Sequence, residues 1–286
     1  MELIKFSQLE QPVAMDNCGT LLPILNAAMR DWNCEQVESA STEPQINLEL
    51  IDAGFKRQSP WLDKASIFKD PLDAVCDLTV DLIHAYIAEH KNLLCLHCAA
   101  VQIGGSLTVF PTTYRGGKST LTTKLASLGV KIFSDDVLPV NKLDLRGLAL
   151  GILPRLRIPI PNNSSTAFHK FVDCHNGPGN HRYQYVALDE DHLAKAGSIA
   201  KINRFILLER QDEGRAELEE IDKALVLKSV ILRNFARENP AIDILDALHR
   251  IVDNSDCYSL RFANTDEAGE LLLAEFKEPL TSALSM

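Results

Sequence analysis

Two adjacent glycines followed by a lysine and two hydroxyl residues, Gly116-Gly117-Lys118-Ser119-Thr120, form the pattern in this chain that is best suited to chemistry. Glycine backbones can approach a phosphate group closely, and a lysine beside them can reach its terminal oxygens. The Ser119 hydroxyl is a suitable ligand for a magnesium ion bound to those phosphates. The pattern therefore predicts a phosphate-binding loop, whose nucleotide-binding residues are Thr113, Tyr114, Arg115, Gly116, Gly117, Lys118, Ser119 and Thr120.

The residues on both sides of the loop predict the elements that hold it. The apolar run Ser106–Phe110 is typical of a buried strand. After the loop, Leu121, Leu125 and Leu128 recur at helical spacing until Gly129 ends the pattern. The free N–H groups and the positive dipole end of that helix would face the loop, where they favour an anion.

An acidic pair follows the next predicted strand. The apolar segment Val130–Phe133 leads into Ser134, Asp135 and Asp136. Ligands bind at the carboxyl ends of strands in open α/β folds, so we expect both carboxylates near the phosphate loop. One carboxylate can hold magnesium and the other can take a proton from an attacking hydroxyl, as phosphoryl transfer requires.

The loop departs from the usual phosphate-loop consensus. Thr112 stands where that consensus places its first glycine, and the bulky Tyr114 and Arg115 lie inside the loop. An ordinary Gly-Gly turn between a strand and a helix is therefore the alternative interpretation of the loop alone. The acidic pair after the following strand favours the phosphate loop.

A further strand is predicted over Leu93–Ile103, followed by a two-residue hairpin turn at Gly104-Gly105. Residues two apart in a strand share a face, so Cys95 and His97 should point away from Cys98. The two cysteines are thus interpreted as buried apolar residues rather than metal ligands. His97 alone would be interpreted as a structural residue.

Three segments together resemble a known family. LHCAAV around His97, GKSTL around Lys118 and FSDD around Asp136 are similar in text and spacing to the catalytic domain of HPr kinase/phosphorylase, a bacterial P-loop serine kinase. They are closer still to the HPr-kinase-related bacterial kinases, including those of lasso-peptide gene clusters. The resemblance extends over Leu93–Phe276. It implies an α/β fold with a P-loop kinase core of the HPr kinase C-terminal-domain type, which is like phosphoenolpyruvate carboxykinase, together with a small N-terminal α/β region.

The resemblance also implies roles for individual residues. Asp136 would be the catalytic base, Asp135 and Ser119 would hold magnesium, and Lys118 would bind phosphate with His97 beside the transferred group. PRLRIP and Arg182-Tyr183 resemble further family segments, and Arg155 and Arg157 stand where the family supplies another magnesium-binding glutamate. Since a guanidinium can clamp a phosphate but cannot bind a metal ion, the expected substrate-binding residues are Arg155, Arg157 and Arg182.

The expected function is that of an ATP- or GTP-dependent kinase that requires Mg²⁺ and transfers the γ-phosphoryl group to a hydroxyl. The expected acceptor is a serine of a peptide or small protein. A small-molecule kinase and a nucleotide-binding regulatory module without turnover are the alternatives. The resemblance further implies a homo-oligomer.

Composition and charge bear on whether the protein binds nucleic acid or a membrane and on the compartment in which it is found. The chain has 286 residues and a net charge of −10, which disfavours nucleic-acid binding. Nothing in the sequence resembles a signal peptide or a membrane span, and we expect neither. Its seven cysteines are scattered, often within apolar runs, as in a cytoplasmic protein with reduced thiols.

The pattern of elements predicts two parts, a small α/β domain over residues 1–69 and the kinase-like domain over residues 70–286. Asp70-Pro71 predicts the cap and first turn of a long helix that ends near His90 and packs against the kinase core. The segment Asn162–Asn180, rich in Asn, Ser and Gly, predicts a loop that acts as a mobile lid or contacts substrate. Zinc binding is the alternative for its metal-ligand types, which are His169, Cys174, His175 and His181.

Regular structure is expected again in the last third of the chain. The hydrophobic patterns predict two strands and three helices. Their ranges are Arg204–Leu208, Ala224–Phe235, Ile242–Val252, Tyr258–Phe262 and Thr265–Phe276. Salt bridging is the default role for the charged residues near them, which include Arg210 and Arg261, although Arg233 or Arg237 could meet a nucleotide.

Overall fold

A computed structural model of the chain describes residues 1–40, 42–111, 116–236 and 239–276. In chain order the strands are β1 Glu2–Phe6, β2 Val13–Asp16, β3 Cys34–Val37, β4 Asn47–Ile51, β5 Gly54–Gln58, β6 Ser66–Phe68, β7 Leu93–Leu96, β8 Ala99–Ile103, β9 Ser106–Phe110, β10 Lys131–Ser134, β11 Leu138–Asn141, β12 Arg146–Leu148, β13 Arg155–Arg157, β14 Asn176–Gly179, β15 Tyr183–Val186, β16 Ile199–Arg210, β17 Glu217–Glu220 and β18 Asp256–Phe262. The helices are α1 Leu22–Ala28, α2 Pro71–Glu89, α3 Lys118–Ser127, α4 Thr166–Cys174, α5 Lys223–Arg233, α6 Ala241–Asp253 and α7 Thr265–Phe276, and a 3-10 turn covers Gly19–Leu21.

The fold is mixed α/β, and within the described ranges its strands form three sheets. The first contains β1 to β6 in the order β3-β1-β2-β4-β5-β6. The second is a nine-stranded sheet with the path β10-β8-β9-β16-β12-β11-β7, in which β18 also pairs with β16, and β17 pairs with β18. The third is the small sheet β13-β15-β14. None of the helices in these ranges is both long and apolar enough to cross a membrane.

The large sheet is covered by helices on both faces. Successive residues of β9 point to opposite faces, so Phe110 packs with α3 and α7 while Val109 packs with α5 and α6. Both side chains are fully buried. Strands covered on both faces are apolar throughout, and this is why SLTVF is a nearly continuous apolar run.

Helix α2 begins where the sequence predicts. The Asp70 carboxylate accepts hydrogen bonds from the N–H groups of Leu72 and Asp73, and Pro71 occupies the first turn. The predicted buried face is confirmed, but it packs largely with the first sheet, in a cluster that includes Ile4 and Phe6. The boundary between residues 69 and 70 stays a prediction.

The single strand predicted over Leu93–Ile103 is wrong. The structure divides it into β7, which pairs with β11, and β8, which pairs with β9 and β10. His97 and Cys98 lie in the break, and the His97 N–H donates to the Arg233 carbonyl at 2.8 Å. The chain changes its strand partners here. Tertiary packing decides this change, and an unbroken apolar run in the sequence does not reveal it. The hairpin at Gly104-Gly105 is confirmed, with φ of 57° and 71° at the two glycines.

The loop predicted over Asn162–Asn180 is also wrong. The Ser165 side chain caps α4 by accepting a hydrogen bond from the Phe168 N–H, and Phe168 and Val172 pack in the core. Strand β14 follows. The polar and glycine-rich composition hid an amphipathic helix whose apolar face has only a few residues. Most of this segment is therefore a helix and a strand rather than a loop, and its role as a lid or a substrate contact stays a prediction.

The C-terminal predictions are confirmed, with α7 over Thr265–Phe276 as expected. The predicted strands are longer in the structure, because β16 extends over Ile199–Arg210 and β18 begins at Asp256. Strand β16 runs parallel to both β9 and β18. Its last residue, Arg210, therefore lies at the same sheet edge as the end of β9.

The cap of α2 should contribute measurably to stability. Asp70 also accepts a hydrogen bond from the Asn180 side chain at 2.9 Å, which ties the helix start to the third sheet. Asp70→Ala should lower the free energy of unfolding by about 1–2 kcal/mol, because two helix N–H groups and one amide lose their acceptor. Urea unfolding followed by circular dichroism measures this. Asp63→Ala, at an exposed position, is the control; equal stability of both variants would show that the cap contributes nothing.

Candidate functional site

The site begins at the N-terminus of α3. Gly117 precedes the helix in a left-handed conformation, with φ of 85° and ψ of 10°, which a residue with a side chain rarely adopts. The helix then starts with Lys118, Ser119 and Thr120, whose backbone N–H groups are among those that no preceding helical carbonyl can satisfy. Such a terminus attracts anions through these N–H groups and its dipole. The predicted loop residues Thr112, Thr113, Tyr114 and Arg115 lie outside the described residues.

Asp135 is buried between three elements. It follows β10, its Oδ1 accepts a hydrogen bond from the Thr122 hydroxyl of α3 at 3.2 Å, and its Oδ2 accepts one from the Arg155 N–H of β13 at 3.0 Å. The Ser119 hydroxyl also hydrogen-bonds to it. Asp135 thereby brings the sequence-predicted metal-binding pair, Ser119 and Asp135, into contact.

Burial sets the protonation of this carboxyl. Removal from water raises the pKa of Asp135 well above its ordinary value, and the negative charge of Asp136 raises it further. The hydrogen bonds from Arg155 and Ser119 and the charge of Lys118 oppose that rise but do not cancel it. A cation placed beside Asp135 would therefore remove an electrostatic cost that the buried carboxylate imposes.

Asp136 has a different environment although it is the next residue. Its side chain is 43% exposed and lies 3.7 Å from an Nη atom of Arg155. His97, from the break between β7 and β8, is close enough for the charges of Asp136 and Lys118 to influence its titration. Burial is the largest influence and lowers the pKa of His97, so the imidazole is neutral near pH 7. The structure thus brings His97, Lys118, Asp135 and Asp136 together.

His97, Lys118 and Asp136 line one cleft of about 320 Å³, whereas the buried Asp135 is not among its lining residues. A volume of this size suits a small-molecule or nucleotide ligand. The lining is strongly basic, although the chain as a whole carries a net charge of −10. The lining residues are His97, Gly116, Gly117, Lys118, Ser119, Thr120, Asp136, Arg155, Arg157, Pro159, Pro161, Tyr183 and Arg210.

The register of the third sheet places two of the arginines. Arg155 and Arg157 alternate with the buried Leu156 along β13, so both point to the same face. Their guanidinium carbons lie 4.9 and 5.6 Å from the centre of the Tyr183 ring. Arg182 approaches the same ring at 5.5 Å, but it forms an ion pair with Asp73 and is not among the residues that line the cleft. Two of the three predicted substrate arginines are therefore in the cleft.

The sequence interpretation missed Arg210 as a site residue. It gave Arg210 a salt-bridging role, whereas the residue lines the cleft from the end of β16. Its position at the end of a buried strand, like Asp135 after β10, was the signal that could have found it. Arg261 does form the expected salt bridges, to Glu217 and Glu219. Arg237 lies outside the described residues.

The donor set fits a magnesium nucleotide. Magnesium prefers oxygen ligands, which the Ser119 hydroxyl and the carboxylates of Asp135 and Asp136 supply. The helix terminus, Lys118 and the arginines of the cleft supply the N–H donors and positive charge that phosphates need. The basic groups share one cleft with Ser119 and Asp136, and the buried Asp135 hydrogen-bonds to Ser119, so the metal ion and the phosphates could be held side by side.

Comparison with known proteins finds similarity among solved structures. No protein-family model matches this sequence, and no curated protein matches it. Among solved structures, the chain is similar to the Hpr(Ser) kinase/phosphatase from Coxiella burnetii, with 13% sequence identity and a TM-score of 0.26. The match covers 59% of this chain and 78% of that one. At this TM-score the similarity carries no argument about the fold or the activity.

The buried carboxyl of Asp135 should cost stability as the pH rises. It ionises near 3.8 in the unfolded chain, whereas its raised pKa keeps it protonated in the folded chain. Between these two pKa values the folded state binds more protons, so stability falls with increasing pH. Asp135→Asn cannot ionise, and its Tm advantage over the wild type should grow from about pH 4 to about pH 8. Thermal unfolding in EDTA measures it, and a difference independent of pH would contradict the burial argument.

Proposed function

We propose that this protein is a kinase that uses Mg²⁺ and ATP, or GTP, and transfers the γ-phosphoryl group to a hydroxyl, with a serine of a peptide or small protein as the acceptor. One observation carries the proposal. A helix N-terminus preceded by a left-handed glycine, a lysine, a serine and the carboxylate of Asp136 line one basic cleft, and the adjacent Asp135 is buried against the same helix, where it accepts a hydrogen bond from Thr122. Phosphoryl transfer needs this combination of anion binding, metal binding and a base.

The unlike environments of the two carboxylates support separate roles. Bound Mg²⁺ and nucleotide would supply the phosphoryl group and a compensating positive charge. Asp135, fixed by its hydrogen bonds to Thr122 and Arg155, would hold the metal ion with Ser119. The more exposed Asp136 would accept the proton of the acceptor hydroxyl at a carboxylate oxygen.

The cationic residues would stabilise negative charge on the transferred group. Lys118 stands at the helix terminus, and Arg155, Arg157 and Arg210 line the cleft from other elements. Charge stabilisation by such preorganised groups is the largest contribution to catalysis in most kinases. His97, neutral through burial, would serve as a hydrogen-bonding group beside Asp136 rather than as a further cation.

The choice of a polypeptide serine as acceptor rests on the sequence resemblance of the three segments around His97, Lys118 and Asp136. A small-molecule acceptor would use the same core residues, because acceptor specificity resides in surrounding loops. Incubation with radiolabelled ATP and separate pools of serine-containing peptides and small hydroxyl metabolites distinguishes the two. Label on the metabolites alone would contradict the polypeptide acceptor while leaving the kinase assignment intact.

Substitution of Lys118 and Asp136 should separate binding from turnover. Lys118→Ala should weaken nucleotide binding and reduce transfer at least about a hundredfold, because it removes a cation from the phosphates. Asp136→Asn should keep nucleotide binding but lower kcat by about 10²–10⁴, because the base is lost. Calorimetric binding of nucleotide and coupled detection of ADP measure these effects.

Lys170→Ala, an exposed position on α4, is the control for Lys118→Ala. Full activity of Lys118→Ala would overturn the proposed phosphate site. Wild-type protein that binds ATP but releases no ADP above background, with any acceptor, would overturn the kinase proposal in favour of a nucleotide-binding module.

A further inference from the structure

A second cluster of chemically capable side chains lies outside the cleft. His175 follows the last residue of α4, and Asp189 and His192 belong to the turn that connects β15 to β16. One ligand atom from each of the three side chains lies within 4.8 Å of the others. Among the described residues, this is the group of histidine, cysteine and acidic side chains whose geometry suits a metal ion.

His175 is held in a fixed orientation and tautomer. Its Nδ1 lies 2.8 Å from the Phe171 carbonyl oxygen and must donate a proton to it, since the carbonyl can only accept. The Phe171 ring lies against the imidazole, with centroids 4.2 Å apart. The Nε2 atom, on the other side of the ring from Nδ1, therefore faces away from the Phe171 carbonyl. Metal-binding histidines characteristically donate their other N–H to a carbonyl or carboxylate in this way.

Asp189 and His192 form the other half of the cluster. The His192 Nδ1 lies 2.6 Å from the Asp189 Oδ1, so the pair shares a proton. The same carboxylate oxygen accepts hydrogen bonds from the N–H groups of Asp191 and His192, which fix the turn. Phe171 also meets the His192 ring edge-on, with centroids 5.7 Å apart. One aromatic ring thus holds both histidines.

We propose that His175, Asp189 and His192 bind a divalent transition-metal ion of the zinc class. The ion would be bound by the His175 Nε2, a ring nitrogen of His192 and a carboxylate oxygen of Asp189. Tetrahedral ligands about 2.0–2.2 Å from zinc lie about 3.3 Å from one another, so the cluster needs adjustments of about 1 Å. Asp189, with its side chain 59% exposed, can move, and the cation replaces the proton it shares with His192.

The donor types separate this site from the proposed magnesium site. Two imidazoles and one carboxylate suit zinc and neighbouring transition metals, whereas magnesium prefers oxygen ligands alone. The end of a helix also favours a cation, because the macrodipole is negative there. The end of the helix favours a cation, and the donor types favour a transition metal. Both arguments are independent of the kinase proposal.

The bound ion would connect two parts of the fold. The turn that carries Asp189 and His192 rests on β10, since the Ile132 N–H donates to the His192 carbonyl at 2.7 Å. Strand β10 leads directly to Asp135 and Asp136. A metal ion bound to His175 would connect α4 to this turn. The turn is hydrogen-bonded to β10, the strand that precedes both carboxylates.

The site differs from the zinc set considered from the sequence. Of His169, Cys174, His175 and His181, the metal-suited group in the described part of the chain contains His175 alone. Its partners come from beyond the β14–β15 hairpin, which folds the chain back so that the turn after β15 meets the end of α4. Spacing along the sequence cannot reveal a site that such a hairpin assembles.

Calorimetric titration of the full-length protein with ZnCl₂ tests the proposal, after treatment with EDTA and dialysis and in the presence of excess Mg²⁺. We expect saturable binding of one zinc ion. His175→Asn and His192→Ala should each weaken it at least about tenfold, because each removes one ligand. Asn at position 175 retains an amide donor for the Phe171 carbonyl, so the end of α4 keeps its hydrogen bond.

The matched controls are His169→Asn, His181→Asn and Cys174→Ala, which alter neighbouring metal-ligand types in the same segment, and Asp136→Asn, which alters the cleft. All four should bind zinc like the wild type. Absence of saturable binding to the wild type, or unchanged affinity in both His175→Asn and His192→Ala, would overturn the proposal. Circular dichroism confirms that each variant is folded before titration.

Substitution of Co²⁺ for zinc gives a spectroscopic test of the donor set. Cobalt bound by two imidazoles and a carboxylate should show visible d–d absorption that His192→Ala abolishes. A thiolate-to-cobalt charge-transfer band that disappears in Cys174→Ala would overturn the proposed ligands, because it would place a cysteine in the site.

Discussion

The buried carboxylate of Asp135 is the interaction on which the geometry of the cleft depends. It joins β10 to α3 through Thr122 and to β13 through the Arg155 N–H, so one side chain fixes the positions of three elements. A carboxylate taken out of water must be matched by donors or cations on all sides, or it remains protonated. The protein supplies enough donors to orient Asp135 and too few to lower its pKa to the ordinary value. A bound metal ion would supply the positive charge that this carboxylate lacks.

The layered sheet explains why the other groups meet at this point. Strands β9 and β16 run in parallel, and Gly117, before α3, and Arg210 therefore lie at the same edge. At that edge, the break at His97 takes the chain from β7, which pairs with β11, to β8, which pairs with β9 and β10. The third sheet then closes the cleft, because the pleat of β13 directs Arg155 and Arg157 to one face. Each charged group among the described lining residues, except His97, thus lies in a helix or strand or directly after one.

Local patterns in the sequence were sufficient to predict the strand, the glycine turn, the helix and the acidic pair around Gly117 and Asp136. All of these signals depend on neighbouring residues: apolar runs, helical spacing and glycines where φ is positive. The same reasoning failed at His97 and over Asn162–Asn180. A strand that changes partners looks continuous in sequence, and α4 buries only a narrow apolar face within polar composition. Both errors arise because packing partners distant in sequence decided the outcome.

The sequence by itself determined the residue types of the site, namely the glycine turn before α3, the two carboxylates and the nearby arginines, since short-range patterns and residue identity are properties of the sequence. Only the tertiary structure decided which carboxylate is buried and which is exposed, which arginines face the cleft, and that His175 meets Asp189 and His192. These properties depend on the surroundings of each side chain in three dimensions. Desolvation, strand register and the return of a hairpin act between residues far apart in the sequence, and spacing along the chain does not encode them.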